Sequence, residues 1–92
     1  MDMRKVVGAN VLRLRLARSL SQEELSFRSG FGRAYLSGLE TGKRNPTVVT
    51  LWELAVVLDV TPAELVTPVT DKAEPIGSTM RVKRRKPRRN RA

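Results

Sequence analysis

Few side chains in this sequence can make or break bonds. It has no His and no Cys, so imidazole acid/base chemistry, thiolate nucleophiles and the common soft metal ligands are missing. What remains is recognition chemistry. In the stretch FGRAYLSGLETGKRNP, Phe31 to Pro46, Arg33 offers a planar fork of donors and Ser37 a hydroxyl that can donate or accept. At about 100° per residue, Ala34, Ser37, Gly38 and Thr41 fall on one side of a helix, and Leu36 and Leu39, with Tyr35 beside them, fall on the other. An ordinary solvated face carries Lys, Glu and Gln, whereas small residues let the backbone approach a partner closely. Gly38 sharpens the point, because an interior Gly costs a helix about 1 kcal/mol relative to Ala. It reads as clearance toward whatever this face meets.

The elements that hold this face follow from periodicity and punctuation. From Val6 to Leu20 apolar residues recur at helical spacing, with Arg13 and Arg18 on the other side, which predicts a first helix. Ser21 with Glu24 three residues later forms a capping box, and Gly30 stops a second helix. Gly32 or Arg33 opens a third that closes at Thr41-Gly42, after a tight turn. Thr47 caps a fourth, VVTLWELAVVLD, and Thr61-Pro62-Ala63-Glu64 starts a fifth with a Thr cap, Pro at the first position and Glu at the third. No strand signal competes, so the fold class is all-α, a five-helix bundle. From Thr67 the residues Pro68, Asp71, Lys72, Pro75, Gly77 and Ser78 predict a linker over 67–80, followed by a disordered tail over 81–92.

Ninety-two residues make one small domain. The formal charge is +9, but it is unevenly placed. RVKRRKPRRNRA, residues 81–92, holds eight Lys or Arg and no acid, so the rest of the chain is close to neutral. No stretch approaches the roughly 20 apolar residues that span a bilayer, and no leader is evident. A cytoplasmic protein is expected, with no membrane partner, no metal, no cofactor and no small-molecule ligand. An enzyme is not expected.

The order S-Q-E-E-L, a Gly turn, R-x-Y-L-S-x-L-E-x-G, a basic N-P loop, L-x-x-L-A and V-T-P-A-E-L resembles the lambda-repressor-like, or XRE-type, helix-turn-helix domain over residues 12–66, with residues 1–11 starting helix one and the helix-turn-helix motif at about 22–41. The run R-A-Y-L-S-G-L-E followed by K-R-N is also similar to the small controller proteins of restriction-modification systems. Phage repressors, antitoxins and autoregulatory switches share the domain, so the scaffold does not choose among them. The resemblance implies a homodimer that binds double-stranded operator DNA in the nucleoid, with the third helix in the major groove.

On that footing Arg33, Ala34, Ser37 and Gly38 occupy base-reading positions. The Arg33 fork matches guanine O6 and N7, Ser37 can bond a base edge, Ala34 can meet a thymine methyl, and Gly38 keeps the helix close. The plainer alternative is a solvated Arg beside a small face that arose by chance. Gln22, at the start of helix two, and Lys43, Arg44 and Asn45 are expected to hold phosphates, or else to form an ordinary polar loop. The resemblance further implies a buried ion pair between Arg15 and Glu40, whose role is to orient helix one against the reading helix.

Helix four is apolar on two sides. Leu51, Leu54, Ala55 and Leu58 face inward, while Val49, Trp52 and Val56 lie within about 60° of one another elsewhere on the helix. Together with Val66 they are expected to form the dimer interface, unless the N-terminal segment or the linker covers Trp52. A two-fold dimer sets its reading helices about one DNA turn, roughly 34 Å, apart and implies an inverted-repeat operator. The function expected is a sequence-specific transcriptional regulator, as a repressor or autoregulatory switch. The alternatives are an antitoxin or protein-interaction module whose DNA binding is secondary, and an RNA-binding protein acting through the basic tail.

Overall fold

A computed structural model describes residues 1–69 of the chain. The expected linker lies outside the described residues from residue 70 onward, as does the whole basic tail. Five helices follow one another, with no strand among the described residues: α1 (Met3–Ala17), α2 (Gln22–Ser29), α3 (Arg33–Glu40), α4 (Val48–Leu58) and α5 (Pro62–Val66). None of them is long and apolar enough to cross a membrane.

The caps that Ser and Thr signal are formed. Ser21 Oγ accepts from the Glu24 N–H at 2.9 Å, and the Glu24 carboxylate accepts from the Ser21 N–H at 2.8 Å. That backbone hydrogen bond holds the Glu24 carboxyl below its usual range. Thr47 caps α4 and Thr61 caps α5, the latter again as a reciprocal box. Gly30 and Gly42 take the left-handed conformation that ends α2 and follows α3, with φ of 82° and 80°.

Helix one begins at Met3, inside the expected 1–11 and one turn ahead of the apolar period that opens at Val6, because the Asp2 carboxylate accepts from the Arg4 N–H at 3.0 Å and pairs with the Arg4 guanidinium at 3.2 Å. It stops at Ala17 rather than Leu20. Ser19 adopts φ 57°, and the N–H groups of Leu20 and Ser19 turn back to Arg15 and Leu16 carbonyls, each at 3.0 Å. This is the Schellman termination with a serine where glycine is usual, so residue type alone did not signal the stop. Asp59, φ 58°, ends α4 in the same way, with the Val60 N–H bonded to the Ala55 carbonyl at 3.0 Å.

Apolar residues from every helix meet in one core: Val7, Val11 and Leu14, then Leu25, Leu36 and Leu39, then Leu54, Ala55, Leu58 and Leu65, with Leu20 from the first turn. α1 is its axis, packed on α3 and α5, while α2 bridges α3 and α4. The α1–α3 crossing is unusually close. A Cβ at Gly8 would run into the Leu39 carbonyl oxygen and lie 2.9 Å from that of Glu40.

Two polar side chains close the bundle. Buried Asn10 donates from Nδ2 to the Leu65 and Thr67 carbonyls, both at 3.0 Å, which satisfies the end of α5. Arg18 donates to the Leu58 and Asp59 carbonyls at 2.8 and 3.0 Å, placing a cation at the negative end of α4.

Candidate nucleic-acid interface

The site is built on α3, and its orientation is set from behind by one buried carboxylate. Glu40 accepts from Arg15 Nε at 2.7 Å and Nη2 at 3.0 Å, a bidentate pair whose side chains are 11% and 6% exposed. The Arg15–Glu40 pair expected from the resemblance is thus formed. Hydrogen bonding to Glu40 raises the Arg15 guanidinium further above its already high range. Arg15 also donates from Nη1 to the Leu20 carbonyl at 2.9 Å. One guanidinium therefore ties α1, the α1–α2 turn and the end of α3 together.

Gln22 joins the same network. Its Nε2 donates to Glu40 Oε1 at 3.1 Å, so its side-chain amide is already engaged within the protein. What Gln22 presents outward is the start of α2, where the first backbone N–H groups lack intrahelical partners. Sequence spacing could not reveal this third donor, because the partners are separated by a turn and a whole helix.

On the outer side of α3, Arg33, Ala34 and Ser37 are exposed, while Gly38 is half-buried. What half-buries Gly38 is Arg44. A Cβ at Gly38 would fall 3.0 Å from Arg44 Nε and 3.1 Å from its Cγ, and the Arg44 guanidinium carbon lies 5.5 Å from the centre of the Tyr35 ring. Tyr35 itself packs against Phe31 with ring centres 5.5 Å apart. The space read as clearance for an external partner is filled, in the free protein, by the stem of Arg44. Tyr35, placed beside the core face by periodicity, thereby also becomes a support for this loop arginine.

The loop after α3 is tied to the helix by its backbone. The Lys43 N–H donates to the Gly38 carbonyl at 2.8 Å, and the Thr41 hydroxyl donates to the Ser37 and Gly38 carbonyls at 3.0 and 3.1 Å. Lys43, Arg44 and Asn45 remain exposed. From Arg28 to Trp52 the sole acid is Glu40, and Arg15 neutralises it. The face formed by α3 and the loop is consequently electropositive, with donors at both flanks and small side chains between them. That combination suits an acceptor-rich polyanion approached closely.

A separate apolar strip lies on α4. Val49, Trp52 and Val56 are 64%, 59% and 59% exposed, and Val66 on α5 is 37% exposed. Leu54, Ala55 and Leu58 are buried as expected, with Leu51 partly so. Trp52 is thus exposed among the described residues, and the expected linker lies outside them from residue 70 onward.

Residues 11–65 match the helix-turn-helix family HTH_3. An HTH-type transcriptional regulator of Sinorhizobium fredii, y4dJ, itself uncharacterised, is 59% identical over 71 residues, 77% of this chain and 92% of the relative. The crystal structure of the restriction-modification controller protein C.AhdI from Aeromonas hydrophila superposes with a TM-score of 0.65 at 44% identity, covering 67% of this chain and 94% of that one. The biofilm regulator SinR, solved in complex with DNA, superposes with a TM-score of 0.64 at 29% identity over 66% of this chain and 98% of its own. With an all-helical fold, a third helix followed by a basic loop, and these relatives, the chain belongs to the helix-turn-helix family HTH_3, whose members are DNA-binding regulators of transcription.

Proposed function

We propose that the chain is a sequence-specific repressor or autoregulatory switch that binds an inverted-repeat operator as a homodimer, reading bases with α3. The observation that carries this reading is the pairing of Arg33, exposed at the start of α3, with a small outer face over Ala34 and Ser37. Arg33 is the direct reader, able to bond guanine O6 and N7 in the major groove. Ser37 and Ala34 contribute a hydrogen bond and a methyl contact. The backbone at the start of Gln22 with Lys43, Arg44 and Asn45 holds phosphates at either side and fixes the register of the helix on the duplex. Val49, Trp52, Val56 and Val66 pair with their counterparts in a second copy, which sets the two α3 helices about one turn of DNA apart, roughly 34 Å. The work of such a protein lies in the nucleoid.

Selection of bound sequences from random duplex DNA, with Arg33→Ala run in parallel, tests this. The expected outcome is an inverted repeat containing a guanine in each half-site, with that guanine lost from the sequences the variant selects. Recovery of unrelated sequences by the wild-type protein would refute it. Placement of the recovered repeat upstream of the protein's own gene is the outcome expected of an autoregulatory switch.

A further inference from the structure

Helix α1 is both apolar and basic on its outer side. At the helical step, Lys5, Ala9, Leu12, Arg13 and Leu16 fall within about 100° of one another, and all five are exposed, Leu12 by 36% and Leu16 by 60%. The buried residues Val7, Gly8, Val11, Leu14 and Arg15 occupy the rest of the helix surface. This face is separate from the small face of α3 and from the apolar strip on α4. Asn10 builds its edge. By holding the Leu65 and Thr67 carbonyls against α1, it brings Pro68 and Val69 beside Val6 and Ala9, and these residues help to line an apolar groove of about 460 Å³. Asn10 Oδ1 also accepts from Arg13 Nη2 at 3.2 Å, which holds that guanidinium at the groove. Because the two walls come from opposite ends of the domain, no local spacing signals the groove.

The charges on this side are of one sign. From Met3 to Gln22 there is no acid, and Asp2, the acid at the groove, has both carboxylate oxygens on the Arg4 guanidinium. Of the cations, Arg15 is spent on Glu40 and Arg18 on the end of α4. Lys5 and Arg13 are left beside the apolar surface.

We infer that this face of α1 docks an acidic amphipathic helix of a partner protein, with its apolar side chains in the groove and along Leu12 and Leu16 and its carboxylates on Lys5 and Arg13. Charge complementarity and shape select that occupant. Lys5 and Arg13 are eight residues apart, about 12 Å along α1, which matches carboxylates two turns apart on a second helix. The surface from Lys5 to Leu16 runs about 16 Å, three turns of a helix laid beside it and longer than a small ligand in the groove would cover. Helix-in-groove recognition uses apolar anchors spaced in this way along one face. The inference is independent of the reading of α3.

The test uses the full chain, isotope-labelled for amide spectra, and a synthetic helix of about 18 residues, long enough to cover the surface, with Leu on one face and Glu on the other. The controls are the same helix with Lys for every Glu, and a scrambled peptide that forms no apolar face. Saturable binding of the acidic helix alone is expected, with amide shifts at Ala9, Leu12, Arg13, Leu16 and Val69. Leu12→Gln with Leu16→Gln should weaken it about 30-fold, and Lys5→Glu with Arg13→Glu about tenfold. The shift map is read on the wild-type chain, so the outcome stands even where a variant folds poorly. Shifts centred on residues 33–45 overturn the inference, because the Glu side chains would then only be replacing phosphates on the α3 face. Affinities of folded variants equal to that of wild type overturn it, as does equal binding of either control peptide. Loss of self-association in the Leu12→Gln, Leu16→Gln chain would make the face a contact between copies. Binding of the wild type, but not of that variant, to phosphatidylglycerol vesicles, without binding of the acidic helix, would make it a membrane surface. Either result also overturns the inference.

Discussion

Arg44 lies across Gly38, its Nε where it would be 3.0 Å from any Cβ at that position. A loop arginine thus rests on the one residue of α3 that has no side chain, with the Tyr35 ring beneath its guanidinium. Gly38→Ala removes a helix penalty of about 1 kcal/mol but crowds Arg44, whose contact with the partly buried Tyr35 ring is worth about 1 kcal/mol. The two effects nearly cancel. Chemical denaturation should find the variant within about 1 kcal/mol of wild type, while titration of the selected duplex should find it bound more weakly, because Arg44 no longer holds its place at the phosphate flank. Unchanged binding together with an unchanged fold would separate Arg44 from DNA contact.

The Arg15–Glu40 pair is a matter of stability and of α3 orientation. Glu40→Ala leaves the Arg15 cation buried without its partner and should cost about 3–5 kcal/mol, readable in a urea melt. Arg15→Met with Glu40→Leu should recover most of that loss, since an apolar pair of similar volume avoids the desolvation cost. A near-silent Glu40→Ala would mean that the pair is solvated in the working protein.

Gly8 is the residue on which the α1–α3 crossing depends. Gly8→Ala drives a methyl into the Leu39 and Glu40 carbonyls, which are backbone and cannot turn aside. The gain of about 1 kcal/mol in helix propensity is smaller than the strain, so a net destabilisation of about 2 kcal/mol is expected. A variant that melts above wild type would show that the crossing can open freely.

Much of this architecture was legible from residue types, and the parts that were not share a physical cause. Ser21, Glu24, Thr47, Thr61, Pro62 and Gly30 act on neighbours within one turn, so their meaning is local and survives without the structure. Ser19 and Asp59 end helices in a conformation that glycine usually supplies, and nothing in their type announces it. Asn10 serves carbonyls more than fifty residues away, and Gly8 accommodates the backbone of a helix that lies some thirty residues further along the chain. At the site, the small outer face of α3 could be read from its period. The occupation of its central gap by Arg44, and the use of Gln22 by Glu40, are tertiary facts. They emerge only once α2, α3 and the loop are placed together.

For the proposed dimer, Trp52 is the decisive side chain. Exposed aromatic anchors at interfaces commonly contribute 2 kcal/mol or more. Trp52→Glu should therefore weaken self-association by at least about 30-fold while leaving the helical signal intact, because Trp52 is already 59% exposed in the single chain. Sedimentation should give a dimer for wild type at tens of micromolar and a monomer for the variant. A monomeric wild type at that concentration would contradict the symmetric interface.

Whether Arg33 reads a guanine through its N7 and O6, as proposed, is decided by a double-mutant cycle between protein and base. Affinities are measured for the wild-type protein and the R33A variant, each on the selected duplex and on one with 7-deazaguanine at the half-site guanine. Loss of N7 is expected to cost the wild-type protein about 1–3 kcal/mol and the variant almost nothing, so that the two changes are coupled. Equal losses for both proteins would mean that Arg33 does not contact that base, and would contradict the assignment of α3 as the reading helix.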